Sequence, residues 1–317
     1  MSLHVHGLRI LGSGSSGNAA IVDLADDLGR RRHIVIDLGL GPRTLPRRAA
    51  TVGGFAPDAV VAVLVTHGDQ DHLRPSWSRS LHANRWPVHA LPSHHAALAR
   101  GGVPSASLRP LADHDRETEI VPGVIATTAI APHDDHGTAT IRLRFGRHDD
   151  ATTLGWATDL GRVTPAVESV LDGCDVLAIE SNYDPHLQAT SLRPPFLKHR
   201  ITGGHGHLSN HESIDAVRRL ARRHEPSSIA LLHLSRDCNH PDIVDALWRE
   251  QAPHLHARLR VAHAERPVGP IRLDRGRPTA GPDHGSSDHA SPDRTAVDRP
   301  ADDRPEDTRP APTTLFG

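Results

Sequence analysis

Short apolar runs recur along the chain at residues 8–11, 19–24, 33–37, 59–66, 88–91, 123–130, 138–145 and 152–158, then at 176–180, 228–233 and 258–263. Their β-branched content and their Gly, Pro and Asp boundaries predict strands. Four other segments, 93–100, 164–171, 209–223 and 241–251, open with Ser, Thr or Pro at or near the start and predict helices. The clearest helix is SNHESIDAVRRLARRH. Ser209 or Asn210 can cap it, Glu212 supports its first turn, and Ile214, Val217 and Leu220 make one apolar stripe. Hairpin-like strands come early and strand–helix alternation comes later, which predicts an α/β protein, a sandwich of mixed sheets covered by helices. No internal repeat is visible in the sequence.

Composition narrows the picture. The chain has 317 residues and is 37% hydrophobic, low enough to imply a segment outside the packed part. From Asp274 the sequence is rich in Pro, Asp, Arg and Ser and has no apolar period, so residues 1–273 are expected to form the domain and 274–317 a disordered tail. The tail holds 6 arginines and 9 acidic residues, which leaves 30 basic and 29 acidic side chains of the total 36 and 38. A folded part so near neutrality is no strong electrostatic magnet for nucleic acid. Two isolated cysteines, Cys174 and Cys238, exclude a disulfide scaffold or a thiolate zinc site and suit a reducing cytoplasm. The N-terminus shows no signal-peptide pattern, and the longest apolar run, residues 59–65, is too short to cross a bilayer.

That longest run ends in THGDQDH, which gathers His67, Asp69, Asp71 and His72 at the mouth of a predicted strand. Read alone, the loop fits either an exposed polar turn or a metal site. Three further strand ends carry ligand-type residues: His133 in IAPHDDHG, Asp159 in LGWATDLG and His233 in IALLHLS. Strand ends are where layered α/β folds build their sites. One such coincidence is common; four in one chain is not. Asp69, Asp71 and Asp159 confined together would cost several kcal/mol for each buried charge without a cation, and His with Asp is a set that divalent metals accept.

The motifs LGSGSSGNA, IDLGL, VTHGDQDH, APHDDHG, TDLG, ESNYD, LKHRITGGHGHLSN and LLHLSRDCNHP together resemble the metallo-β-lactamase fold, most closely its WalJ (YycJ) branch, which is related to ribonuclease J-type nucleases. The resemblance spans about residues 8–265. It implies an αββα sandwich of two mixed β-sheets flanked by helices. It also implies a dinuclear hydrolase that cleaves phosphodiester bonds of nucleic acid, exonuclease-like, through a metal-bound hydroxide. On that basis His67 and His133 hold one divalent ion, Asp71, His72 and His233 the other, and Asp159 bridges both, with the ions about 3.5–4 Å apart. Asp71 and His207 are the implied catalytic residues. His207, Ser209 and Asn210 are expected to meet the substrate, with Lys198 as a further phosphate contact, although a solvated helix face suits Lys198 equally. Asp37 is expected to orient a ligand from behind, and Glu180 and Asn182 to form structural hydrogen bonds.

Asp69 departs from the pattern, which has His at this place. The simplest expectation is that its carboxylate still binds the first metal. Two divalent ions, three aspartates and a hydroxide then sum to zero, which favours manganese or iron over zinc. The alternative is a weakened first site with one metal. Two other functions stay open: a small-molecule hydrolase acting on a cyclic nucleotide, lactone or thioester, and a non-catalytic binding module that keeps the fold. A groove leading to His207 would favour a polymer, and a closed cavity a small ligand.

Overall fold

The computed structural model describes residues 3–113, 116–146 and 151–273, which lie in one compact unit. β1 (Leu3–Gly12), β2 (Ala19–Asp26) and β3 (Arg31–Ile36) form an antiparallel meander. After α1 (Thr44–Ala50) the pairing becomes parallel through β4 (Val60–Leu64), α2 (Ser78–Asn84), β5 (Val88–Ala90), α3 (His95–Arg100) and β6 (Leu108–Pro110). The second half repeats this plan. β7 (Thr118–Val121), β8 (Val124–Ala131), β9 (Thr138–Phe145) and β10 (Thr152–Ala157) are antiparallel, and α4 (Pro165–Leu171) leads to β11 (Val176–Glu180), parallel to β10. α5 (Pro185–Thr190), α6 (Pro195–Thr202) and α7 (Asn210–Ala221) precede β12 (Ser228–Leu232). α8 (Pro241–Gln251) and α9 (Pro253–His256) precede β13 (Leu259–Val261), and both strands extend the parallel run. β14 (Val268–Arg272) then pairs antiparallel with β1. The result is two seven-stranded sheets in the orders β14-β1-β2-β3-β4-β5-β6 and β13-β12-β11-β10-β9-β8-β7.

Three apolar layers hold these elements. Ile10, Ile34, Ile36 and Leu64 of the first sheet meet Ile141, Leu143, Trp156 and Val176 of the second between the sheets. Val35, Val63 and Val88 pack outward with Leu45, Trp77, Leu81 and Leu98 of the first helical layer. Leu177, Ile179 and Leu231 pack outward with Val167, Ile214, Val217, Val244 and Trp248 of the second. Helix–sheet–sheet–helix is therefore the architecture, the αββα sandwich expected from the motifs. Such stacking explains why the strand patterns were nearly continuous apolar runs: parallel strands covered on both faces have no solvated side to alternate with.

The differences from the expected elements have local causes. β6 has three residues and includes Pro110, and β14 contains Gly269 and Pro270, so neither carries a strand-like apolar pattern. β7 has one fully buried residue, Ile120. α1 holds a proline inside its first turn, and α5 and α6 each bury a single side chain, Gln188 and Ile201. α7, in contrast, has Ser209 as its N-cap with a complete Ser209–Glu212 capping box, and buries Ile214, Val217 and Leu220. The expected tail, 274–317, lies outside the described residues. Among the described residues no helix is long and apolar enough to cross a membrane.

Every parallel strand delivers its C-terminal end to one edge of the sandwich, and Gly39 fixes how closely the loops there approach. Its N–H donates to Asn18 O, while Asn18 N and Leu38 N donate to Asp71 O and His72 O. A Cβ on Gly39 would stand 1.6 Å from Asp71 O. Gly39→Ala is expected to cost roughly 2–3 kcal/mol or more, since backbone rather than a flexible side chain must yield. Urea unfolding measures the loss, and an unchanged midpoint would show that the two loops are not locked together.

Candidate metal centre

The first sheet contributes a preorganised loop. Asp37 follows β3 with φ 60, in the left-handed region, and its side chain is fully buried. One carboxylate oxygen accepts from Thr66 N at 2.9 Å, and the other lies 2.7 Å from His72 Nδ1. His72 therefore donates from Nδ1 and turns Nε2 toward Asp159 Oδ2, 3.0 Å away. His67 places Nδ1 beside Thr66 Oγ1 and Thr138 Oγ1, at 3.2 and 3.4 Å, and Nε2 3.7 Å from Asp69 Oδ2. Asp71 Oδ2 lies 3.6 Å from His72 Nε2, with the Asn18 side-chain amide at 3.4 Å from the same oxygen.

The second sheet supplies the opposite wall. His133 follows β8 and donates from Nδ1 to Gly206 O at 3.0 Å, which leaves Nε2 free. Asp159 and His233 follow β10 and β12 with φ 58 and 55, and both are buried. Glu180, the last residue of β11, is fully buried; Oε2 accepts from Leu160 N and Leu208 N, while Oε1 lies 2.7 Å from His207 Nδ1 and 3.1 Å from His233 Nδ1. His233 Nδ1 also lies 2.9 Å from Asp159 Oδ1, and His233 Nε2 is buried without a hydrogen-bond partner.

These pieces close into a ring of five imidazoles. Successive centroids are separated by 4.1 Å from His67 to His72, 6.3 Å to His233, 5.1 Å to His207, 5.4 Å to His133 and 5.2 Å back to His67. Asp159 stands among them. The donor atoms of His67, His133 and Asp159 lie within 4.8 Å of one another, as do those of Asp69, His133 and Asp134, and those of Asp159, Glu180, His207 and His233.

The residues fit divalent cations. All five imidazoles are anchored through Nδ1, which turns Nε2 away from the anchor, with the Asn18 amide 2.9 Å from Nε2 of His72. Backing of this kind is what metal-binding histidines generally have. His233 offers a buried nitrogen with no partner, and Asp37, Asp159 and Glu180 are carboxylates with almost no solvent. Burial works against a charge on each side chain, yet the pairs overcome it. The imidazoles of His233 and His72 hold the Asp159 carboxyl well below the usual range, and His207 does the same for Glu180. In return Asp37 and Asp159 raise His72, and Asp159 with Glu180 pushes His233 up to about 10. Burial lowers His133, so it stays a neutral ligand. Protons thus stand where the carboxylates call for cations.

The structure brings together all seven residues named as ligands from the sequence: His67, Asp69, Asp71, His72, His133, Asp159 and His233, with His207 beside them and Asp37 behind His72. Three expected substrate contacts lie elsewhere. Lys198 Nζ donates to Ala189 O, Ser209 caps α7, and Asn210 bonds Ser181 and Asn239 inside the protein. Glu180 makes the structural hydrogen bonds expected of it and also faces His207 and His233. The signal was present, since Glu180 ends an apolar strand as Asp159 and His233 do. Asp134, Thr66, Thr138 and Asn18 were not singled out, and short polar residues in a turn carry no spacing signal. His94 is buried beside the ring of His136, and burial lowers it to about 4.

The centre opens into a cavity of 490 Å³ whose walls include Asp69, Asp71, His133, Asp159, His207 and His233. Two further cavities, of 440 and 370 Å³, share Ser15 with it as a common wall.

A family model described as a beta-lactamase superfamily domain matches residues 32–233. The exodeoxyribonuclease WalJ of Streptococcus pneumoniae is 27% identical over 241 residues, covering 73% of this chain and 82% of that protein. Among solved structures, zinc-bound PqqB from Methylobacterium extorquens superposes with a TM-score of 0.60 at 16% identity, covering 83% of this chain and 99% of that one. A diphosphatase of the PhnP family gives 0.54 at 19% identity, covering 86% and 99%. These two similarities speak to the fold.

The raised His233 sets a pH dependence for chelator-treated protein. Its imidazolium contributes stability fully below the unfolded value of about 6.5, and that contribution fades as pH rises through about 10. The thermal midpoint of the metal-free protein should therefore fall between pH 6.5 and 10. Added divalent metal should flatten the decline and release protons on binding. A midpoint constant across that range without metal would contradict the arrangement.

Proposed function

The chain belongs to the metallo-β-lactamase superfamily and has its hydrolase fold, and from that premise we propose that it cleaves phosphodiester bonds in nucleic acid with two divalent ions. The observation that carries this reading is the contact of His207 Nδ1 with Glu180 Oε1, 2.7 Å, immediately beside Asp159 and on the cavity wall. Glu180 accepts the Nδ1 proton and fixes the tautomer, so Nε2 is the nitrogen available to a group in the cavity. From there the doubly protonated ring, its Nδ1–H still on Glu180, would pass its Nε2 proton to the departing oxygen of the substrate and be left as the neutral Nδ1–H tautomer. His67, Asp69 and His133 would hold one ion, Asp71, His72 and His233 the other, with Asp159 between them. Bound there, the ions would supply Lewis acidity toward a phosphoryl oxygen.

The substrate class follows from the surroundings of the centre. Three cavities share Ser15 as a lining residue, an arrangement that supports an extended substrate over one held in a single closed chamber. Arg193 and Arg200 stand in the wall of the 490 Å³ cavity, where a phosphate backbone would need them. The similarity to the streptococcal exodeoxyribonuclease over most of both chains supports DNA as the polymer and exonucleolytic trimming as the mode. The chain's two isolated cysteines are consistent with a cytoplasmic site of action.

His207→Ala and Glu180→Gln are expected to lower kcat on single- and double-stranded DNA by about 10²–10⁴ and by a smaller factor respectively, with metal content per chain retained for His207→Ala. Asp159→Ala should lose metal and activity together. Wild-type protein with manganese or zinc that hydrolyses no phosphodiester would sink the proposal. Asp69→His adds one unit of positive charge to the centre and should keep activity while shifting preference from manganese toward zinc, read as the ratio of rates with the two metals.

A further inference from the structure

The segment joining α5 to α7 carries a feature that the hydrolytic centre does not use. Large hydrophobic side chains that remain exposed among the described residues are Leu28, Leu192 and Phe196, and the last two sit on this one segment, at 102% and 74% exposure. On α6, Leu197 and Ile201 are one turn apart and line the catalytic cavity. Phe196 and Arg200 form the next row of the same helix, again one turn apart. Arg200 lines the cavity as well, with its guanidinium paired to Asp134 and 59% of its side chain open to water. Phe196 is thus next in the chain to Leu197 and one turn from Arg200 of the cavity wall, without lining the cavity itself. Just before the helix, the Arg193 guanidinium is held by Gln188 Oε1, Ser235 Oγ and Asp237 Oδ2 at 3.1–3.2 Å, in the wall shared by the 490 and 370 Å³ cavities.

Arg193 follows Leu192 in the chain and Arg200 lies one turn after Phe196, so the exposed apolar side chains here are flanked by cations. An exposed aromatic ring beside cations that line a phosphodiester site has the chemistry to take a base and its flanking phosphates. Resting on the nuclease reading, we propose that Phe196 is a stacking platform for one unpaired base of the polynucleotide, with Arg193 holding the phosphate next to the scissile one. A base can stack on Phe196 only when it has left its partner, so the platform selects strand ends and single-stranded stretches over intact duplex.

The test compares metal-loaded wild type, Phe196→Ala and Phe196→Trp on a short single-stranded DNA, on the same DNA with an abasic position near the cleaved end, and on bis(p-nitrophenyl) phosphate. Phe196→Ala should raise KM for the intact strand by about tenfold and leave hydrolysis of the small diester unchanged. Phe196→Trp should retain tight binding. For the wild type, the abasic strand should show the same loss, and Phe196→Ala should lose nothing more on it. Equal KM for wild type and Phe196→Ala on intact DNA, with DNA cleavage proceeding, would overturn the platform and leave the nuclease reading standing. So would a Phe196→Ala effect confined to self-association in sedimentation, which would make Phe196 a protein contact. Wild type that cleaves the small diester and no polynucleotide would overturn both.

Discussion

A carboxylate without solvent, set among imidazoles from two different sheets, is the constraint around which the molecule is arranged. Asp159 is 2% exposed, adopts φ 58, and meets His72 from the first sheet and His233 from the second at 3.0 and 2.9 Å. A non-glycine residue in that backbone region is disfavoured by about 1–3 kcal/mol and persists only where its surroundings over-determine it. Asp37 and His233 are held the same way, with φ 60 and 55. Three strands that end in a left-handed residue each turn a ligand or its support back over the sheet edge, and the cost is spread across a core that both sheets build.

The halves of the sandwich are tied at this edge as well as through their apolar interior. Ala139 N donates to Thr66 O, and His233 N donates to Ser13 Oγ, so backbone from each sheet positions ligand loops of the other. Glu180 extends the tie within the second half. One of its oxygens fastens the turns at Leu160 and Leu208, and the other faces His207 and His233. Charge runs in the same direction. Counting Asp69, Asp71 and Asp159 alone makes the demand for cations look just met, but Asp37 and Glu180 add two buried carboxylates. Each of the two lies against an imidazole, Asp37 against His72 and Glu180 against His207 and His233, so the centre is built to draw positive charge.

Much of this was legible in the sequence, for identifiable reasons. β9, β11 and α8 match their expected spans because their cores are buried on a clear period and their ends carry turn residues or proline. The side chains gathered at this edge were legible because each lies at or shortly after the end of an apolar run, a position visible without any tertiary information. What could not be read is what depends on contacts between distant loops. Ser209 and Asn210 look like anion donors at a helix start, but their hydrogen bonds are spent on Glu212, Ser181 and Asn239. Lys198 looks like a phosphate contact until a neighbouring carbonyl at Ala189 takes its ammonium. Arg193 bears on two cavities only because a loop 42 residues later brings Ser235 to it.

Asp69 shows the same dependence most sharply. In the sequence it is a carboxylate in place of an imidazole, expected to keep the first metal with manganese or iron favoured over zinc, a weakened first site being the alternative. In the fold it lies on the open side of the centre, with 57% of its side chain exposed, 3.7 Å from His67 Nε2. The neighbouring acid, Asp134, shares that side but is clamped by the Arg200 guanidinium, which Asp69 also helps to keep charged. Its contact with His67 outweighs the loss of solvent, which acts the other way, and holds the Asp69 carboxyl below its ordinary value. An additional negative charge is therefore placed where water screens it and where a nearby arginine offsets its neighbour, while Asp37, Asp159 and Glu180 occupy the dry side with histidines against each. Among His67, Asp69, Asp71 and His72 of the THGDQDH loop, Asp69 is the side chain most open to water, so a carboxylate is least costly there.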